Sequence, residues 1–462
     1  MTSIPDPTRQ YATLTFMRGA MISLAIAMFA GLISILYYVP GFSDVIERTG
    51  MKFTSLRPIH TVFAVAFIIL GGVSVVHRYF EDIAGPISNG ERFRLHAQVY
   101  LWAIAGAGII ISLIMGVFSG REYLGFHPVF SIPIMLGWLL FVWNFFGNLG
   151  KGLLSRPMHA TMWAVGALLF IYTFSEQYAW LIPGIFEDPL RDMRIQWKAG
   201  GTLVGSFNLF VYGALYFIGC NISKDTSYAH SRLAYALFGV GLLNSFTNFG
   251  HHTYHLPQDV VIKWISFVIS MTEIILLARV VWDIAAMIKR ERPNPPCTIE
   301  LFMNATKWWT AYILASAIII SIPPINALIH GTTVVWAHGM GAAIGIDTMV
   351  LFAAISWILF ECLERANIDT SELSTSKFRR RVLGFNISMA ALIGWLTIGG
   401  IIAAIYRYQD LQNPQWFLKS NPWVLGATGL ISFHYLSMLV NTWLVLLFRA
   451  RVNGRSKTPI IK

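Results

Sequence analysis

The chain has little charge. Asp, Glu, Lys and Arg make up 12% of its 462 residues, against 55% hydrophobic residues. A soluble domain carries about 25% charged residues, so an ordinary soluble enzyme is excluded. Cysteine is scarcer still. Cys220, Cys297 and Cys362 are far apart and form no CxxC, which excludes a disulfide framework, a thiolate metal cluster and covalent haem attachment through CxxCH. Low-complexity tails and a second polar domain are absent. The expected organisation is one membrane domain over 1–462, with short cytoplasmic termini at 1–16 and 449–462. The first apolar run, about 17–39, is long enough to span and lacks a small-residue cleavage site, so it reads as a span and not as a signal peptide. The net charge of +11 is no sign of nucleic acid, because the basic residues sit in short loops between apolar runs, as in the positive-inside pattern.

What the chain has in abundance is long apolar runs. About twelve reach the roughly 20 residues needed to cross a bilayer. They lie near 17–39, 58–80, 95–117, 128–147, 157–175, 200–221, 231–250, 260–286, 308–329, 333–360, 382–406 and 423–447. In lipid every backbone polar group needs an internal partner, so only helices or a closed barrel serve. The short alternating segments of a barrel are missing, and the expected fold class is an all-α polytopic bundle. An even number of spans puts both termini on one side. The basic stretches Lys289–Arg292, Lys377–Arg381 and Arg449–Lys462 fall on that same side, which is then cytoplasmic.

This topology gives each histidine a depth. His60 lies near the outer end of span two, His338 about a turn and a half into span ten, and His251 and His252 at the outer end of span seven. Four imidazoles from three distant segments thus share the outer leaflet. His77, His96, His159 and His230 lie near the inner surface and read as interfacial. The stretch TNFGHHTYHLP, residues 247–257, also contains His255. Adjacent histidines on a regular helix point about 100° apart, so His251 and His252 share one metal only where the helix ends or bends. Gly250 and Pro257 supply such a break. The alternative is a polar cap facing headgroups. Ionisable groups within a membrane are functional hypotheses by default. Glu273, in span eight, is such a group: either a ligand or a protonated, hydrogen-bonded core residue. Asp347 in span ten either pairs with a cation or lines a proton path. No single helix shows a continuous polar face, which argues against proton pumping.

The segment HGTTVVWAHGM, His330–Met340, resembles the HGTxxxxAHGH signature of the catalytic (large) subunit of bacterial nitric oxide reductases, in the haem–copper oxidase superfamily. Arg57-Pro58-Ile59-His60-Thr61 resembles the second-helix segment of that family, Asn248-Phe249-Gly250-His251-His252 its TGHHY motif, and Glu273 falls where the family carries a glutamate near its active site. The resemblance implies a subunit I-like bundle of about twelve helices and a divergent member of the family. It implies that His338 is the proximal ligand of a high-spin haem b and His60 an axial ligand of a low-spin haem b. His251 and His252 would hold a non-haem metal, iron in the reductases and copper in the oxidases. Neutral imidazole suits both metals.

The chain departs from the family at two places. Met340 stands where the family has the second histidine of a His-x-His pair, so it either ligates the low-spin haem, raising its potential, or only packs. The family's third metal histidine, early in span six, is missing: residues 196–205 read QWKAGGTLVG. The glutamates that follow it in the reductases are also missing. Glu273 and His255 are the substitutes within reach of a two-histidine site; otherwise the distal site holds no metal. The resemblance implies a multi-pass enzyme of the bacterial inner membrane, in contact with lipid. It would reduce nitric oxide to nitrous oxide with electrons from a membrane-anchored cytochrome c. The alternatives are an oxygen-reducing or NO-dismutating relative, or a haem sensor or electron-transfer subunit without a distal metal.

Overall fold

The computed structural model describes residues 7–121, 123–150, 152–247, 250, 253–254, 256–290 and 297–455. Its spans are helices, labelled here in chain order: α1 Pro7–Leu36, α2 Phe53–Ile83, α3 Asn89–Ile114, α4 Ser131–Leu149, α5 Met158–Glu176 and α6 Pro189–Ser223. Then come α7 Arg232–Thr247, α8 Val260–Arg290, α9 Cys297–Ile320, α10 Thr333–Arg365, α11 Ser376–Tyr408 and α12 Gln415–Arg455. Among the described residues, ten helices are long and apolar enough to cross a membrane by themselves, and α9 makes eleven when joined to the short helix Pro323–Ile329. The helix α7 is described over 16 residues, Arg232–Thr247, and Gly250 beyond it is again helical.

Local chemistry sets where the helices begin and turn. The Ser88 hydroxyl accepts from the Glu91 N–H at 3.1 Å and caps α3. Asp188 accepts from the Leu190 and Arg191 N–H groups and caps α6, with Pro189 at the first helical position; proline fits there because its missing N–H is not needed. Beyond α9 the chain turns by 96° into Pro323–Ile329. Two consecutive prolines, Pro323 and Pro324, cannot continue the hydrogen-bond ladder. The carbonyl of Ile320, left without its helical partner, accepts from Asn326 Nδ2 at 2.9 Å.

The most buried spans are α6 and α10, and the other helices pack around them. The start of α1 and the end of α12 lie at one end of the bundle, where Arg18 of α1 donates to the Leu447 carbonyl of α12 at 2.9 Å. That end is tied together by buried ion pairs. Arg9 meets Glu91 at 3.1 Å, Arg78 meets Asp82 at 2.7 Å and Glu361 at 2.9 Å, and Arg365 meets Glu81 at 2.9 Å. Buried charges persist only when paired; Arg9–Glu91 ties α1 to α3, and Arg78–Glu361 and Arg365–Glu81 tie α2 to α10.

Candidate functional site

His60 lies in α2 against α1. Its Nδ1 is 2.8 Å from the Ala27 carbonyl. A carbonyl only accepts, so Nδ1 carries the hydrogen and Nε2 is the free lone pair. The ring sits against Gly31, where an added Cβ would come within 2.6 Å of Nδ1. Glycine is what lets α1 approach the imidazole.

His338 lies in the first two turns of α10, and its Nδ1 is 3.1 Å from Ser316 Oγ of α9. Directly after Met340, α10 becomes a π-helix over Gly341–Thr348 and then returns to α-helix at Met349–Arg365. Such wide turns inside α-helices occur mostly at functional sites. Asp347 is buried in this segment. Met340 is partly buried against the main core, and residues two apart on a helix face nearly opposite ways.

Both histidines suit the proximal or axial role that the sequence suggests. Each has Nδ1 turned to a partner, leaving Nε2 for a metal, the usual arrangement of a ligating imidazole. By the chemistry of the donor, His60 and His338 could each ligate a haem iron through Nε2. The distal centre is different. His251, His252 and His255 lie outside the described residues. Among the described residues no group of three His, Cys, Asp or Glu side chains could hold a metal ion.

Glu273 sits midway along α8, buried, with both oxygens engaged. Tyr212 Oη of α6 donates to Oε1 at 3.2 Å, and Asn244 Nδ2 of α7 donates to Oε2. Ser270 Oγ in turn donates to Asn244 Oδ1 at 2.6 Å. Glu273, Tyr212 and Asn244, with Asn208 and Ser245, line a cavity of about 30 Å³. A water needs roughly 10–15 Å³, so the space suits about two. Asn208 Oδ1 is buried with no hydrogen-bond partner among the described residues, and a water in the cavity would satisfy it.

Sequence reasoning missed Tyr212, Asn208, Asn244 and Ser316. The four-residue spacing of Asn208 and Tyr212 was the local signal. A polar face is assembled here from three helices, one or two residues each, so no single helix displays it. The segment without the expected histidine holds a charge instead: Lys198 Nζ is 2.7 Å from both oxygens of Glu176 and from the Tyr172 hydroxyl. Two of the inner-side histidines also differ from expectation. His77 and His159 are buried among aromatic rings, His77 stacked 4.9 Å from Phe16 and His159 lying 5.2 Å from Tyr79 and Trp163. His96 and His230 are exposed as expected.

An all-helical bundle with ten helices, among the described residues, long and apolar enough to cross a membrane defines a class, a polytopic membrane protein. The sequence profile of "Cytochrome C and Quinol oxidase polypeptide I" matches residues 11–448. The chain belongs to that family, the subunit I of haem–copper oxidases. A heme-copper terminal oxidase dimer solved by cryo-EM superposes with a TM-score of 0.72 at 13% identity, covering 98% of this chain and 85% of that one. At that identity the likeness shows the fold. No curated protein matches the sequence.

Proposed function

We propose that the protein reduces nitric oxide to nitrous oxide: two NO, two electrons and two protons give N2O and water. The observation that carries this reading is the His330–Met340 segment, whose HGTTVVWAHG resembles the nitric oxide reductase signature and whose His338 turns its Nδ1 to Ser316 Oγ. His60 and Met340 would hold a low-spin haem b, and His338 a high-spin haem b. When bound, the haems supply electron transfer and a gas-binding iron. His251 and His252, aided by Glu273 or His255, are the proposed ligands of a non-haem iron or copper. Glu273 and Tyr212 hold and pass a proton within a cavity sized for water. Both termini are cytoplasmic in the bacterial inner membrane, and the electron donor is a membrane-anchored cytochrome c.

The test is anaerobic turnover of ¹⁵N-labelled NO by the purified protein with a chemical reductant, read by mass spectrometry. Labelled N2O at one per two NO is expected. No labelled N2O in that assay, with oxygen consumed when the same reduced protein is given air in place of NO, would overturn the reading in favour of oxygen reduction, which the family's description as oxidases favours.

A further inference from the structure

Helices α9 and α10 run antiparallel, and their contacts fall in strict order. Gly345 lies against the Trp309 side chain, and a Cβ at Gly341 would sit 2.8 Å from Tyr312 and Ile313. One turn further along α9, Ser316 reaches His338. The rising positions 309, 312–313 and 316 thus meet the falling positions 345, 341 and 338. A side chain at either glycine would push the helices apart, so the glycines set the gap that Ser316 bridges.

The hydroxyl has one hydrogen, and Ser316 Oγ donates it to the Ile313 carbonyl at 3.2 Å. Its lone pair then faces the imidazole and accepts from His338 Nδ1–H. The two bonds form a chain, ring to hydroxyl to carbonyl, in which each bond polarises the next. At the next residue, nothing among the described residues lies within 4 Å of a Cβ built at Gly339. His60 is held differently, directly by a backbone carbonyl at 2.8 Å.

We propose that Ser316 is the positioning residue of His338: it fixes the tautomer that leaves Nε2 free and strengthens the imidazole as an electron donor to the iron of the high-spin haem. The proposal rests on the reading of His338 as a haem ligand. A hydrogen bond accepted from the remote ring N–H raises ligand basicity, which favours the ferric state and stiffens the iron–histidine bond.

The experiment uses the full-length protein as purified with its haem, in wild-type, Ser316→Ala and Ser316→Thr forms. The iron–histidine stretch of the reduced high-spin haem is read by resonance Raman, and its midpoint potential by redox titration. Ser316→Ala is expected to lower the stretching frequency and raise the potential. Ser316→Thr, which keeps the hydroxyl, restores both, and the low-spin haem is unmoved throughout. Loss of the high-spin haem in the alanine form with retention in the threonine form equally supports the role. Wild-type frequency and potential in the alanine form would overturn it, as would equal haem loss in both variants, which marks a packing role. A wild-type protein with no carbon monoxide-binding haem overturns the haem reading itself, and that outcome is distinct from the others.

Discussion

The Tyr212 hydroxyl donates to Glu273 Oε1 at 3.2 Å, across the packing of α6 on α8. Asn244 satisfies the other oxygen, so this carboxyl group is held by two donors from two further helices, with space for water beside it. A buried carboxyl so held has a fixed position from which to exchange a proton. Positioned proton transfer contributes about 10²–10⁴-fold to a rate. Glu273→Gln is expected to lower turnover by roughly 10²-fold at unchanged haem content, and Tyr212→Phe by less, because Asn244 still holds the carboxyl group. Stopped-flow gas reduction checks both. Wild-type turnover in Glu273→Gln would remove the carboxyl from the mechanism.

Gly31→Ala is expected to dislodge His60. The new Cβ would lie 2.6 Å from Nδ1, closer than packed atoms tolerate, and the bond to the Ala27 carbonyl would be lost. The low-spin haem then loses its ligand. The reduced α-band should fall or shift to a high-spin spectrum, while carbon monoxide binding at the other haem persists.

Met340→His restores the His-x-His pattern of the family's reductases. Methionine ligation raises a haem potential relative to bis-histidine. If Met340 ligates, the substitution lowers the low-spin midpoint potential and removes the methionine-to-iron charge-transfer band of the ferric form. An unchanged spectrum and potential would mean that Met340 only packs.

Arg365→Ala takes a cation from Glu81, whose side chain is fully buried. Glu81 keeps the Thr13 hydroxyl at 2.6 Å, and Arg78 lies 4.0 Å away. Leaving a buried charged group short of a partner costs about 1–3 kcal/mol or somewhat more. The melting temperature in detergent should fall, and Glu81→Gln added to Arg365→Ala should recover part of it. No change in melting temperature would mean that the pair adds nothing to stability.

Hydropathy made the spans legible, because the bilayer's demand for satisfied backbone leaves a helix as the only solution for a long apolar run. Direction was not legible in the same way. The run 308–329 reads as one span, yet Pro323 and Pro324 turn it by 96°, since hydropathy is blind to the path of the chain. The ends of the helices were also underestimated. The second helix continues to Ile83, and its neighbours cover it, so His77 is buried where an interfacial residue was expected. The candidate site was legible where one helix carries the motif, as at His338. The Glu273 cavity and the Ser316 contact draw single residues from two to three helices. A pattern read along one chain segment does not see such convergence.

The account stands on two haems, a six-coordinate one at His60 and a five-coordinate one at His338. A reduced-minus-oxidised visible spectrum of the purified protein, repeated under carbon monoxide, tests this directly. The account predicts a low-spin haem b α-band that carbon monoxide leaves in place, and a second haem that it shifts. A protein with no Soret absorption, or with one haem that carbon monoxide does not touch, would contradict it.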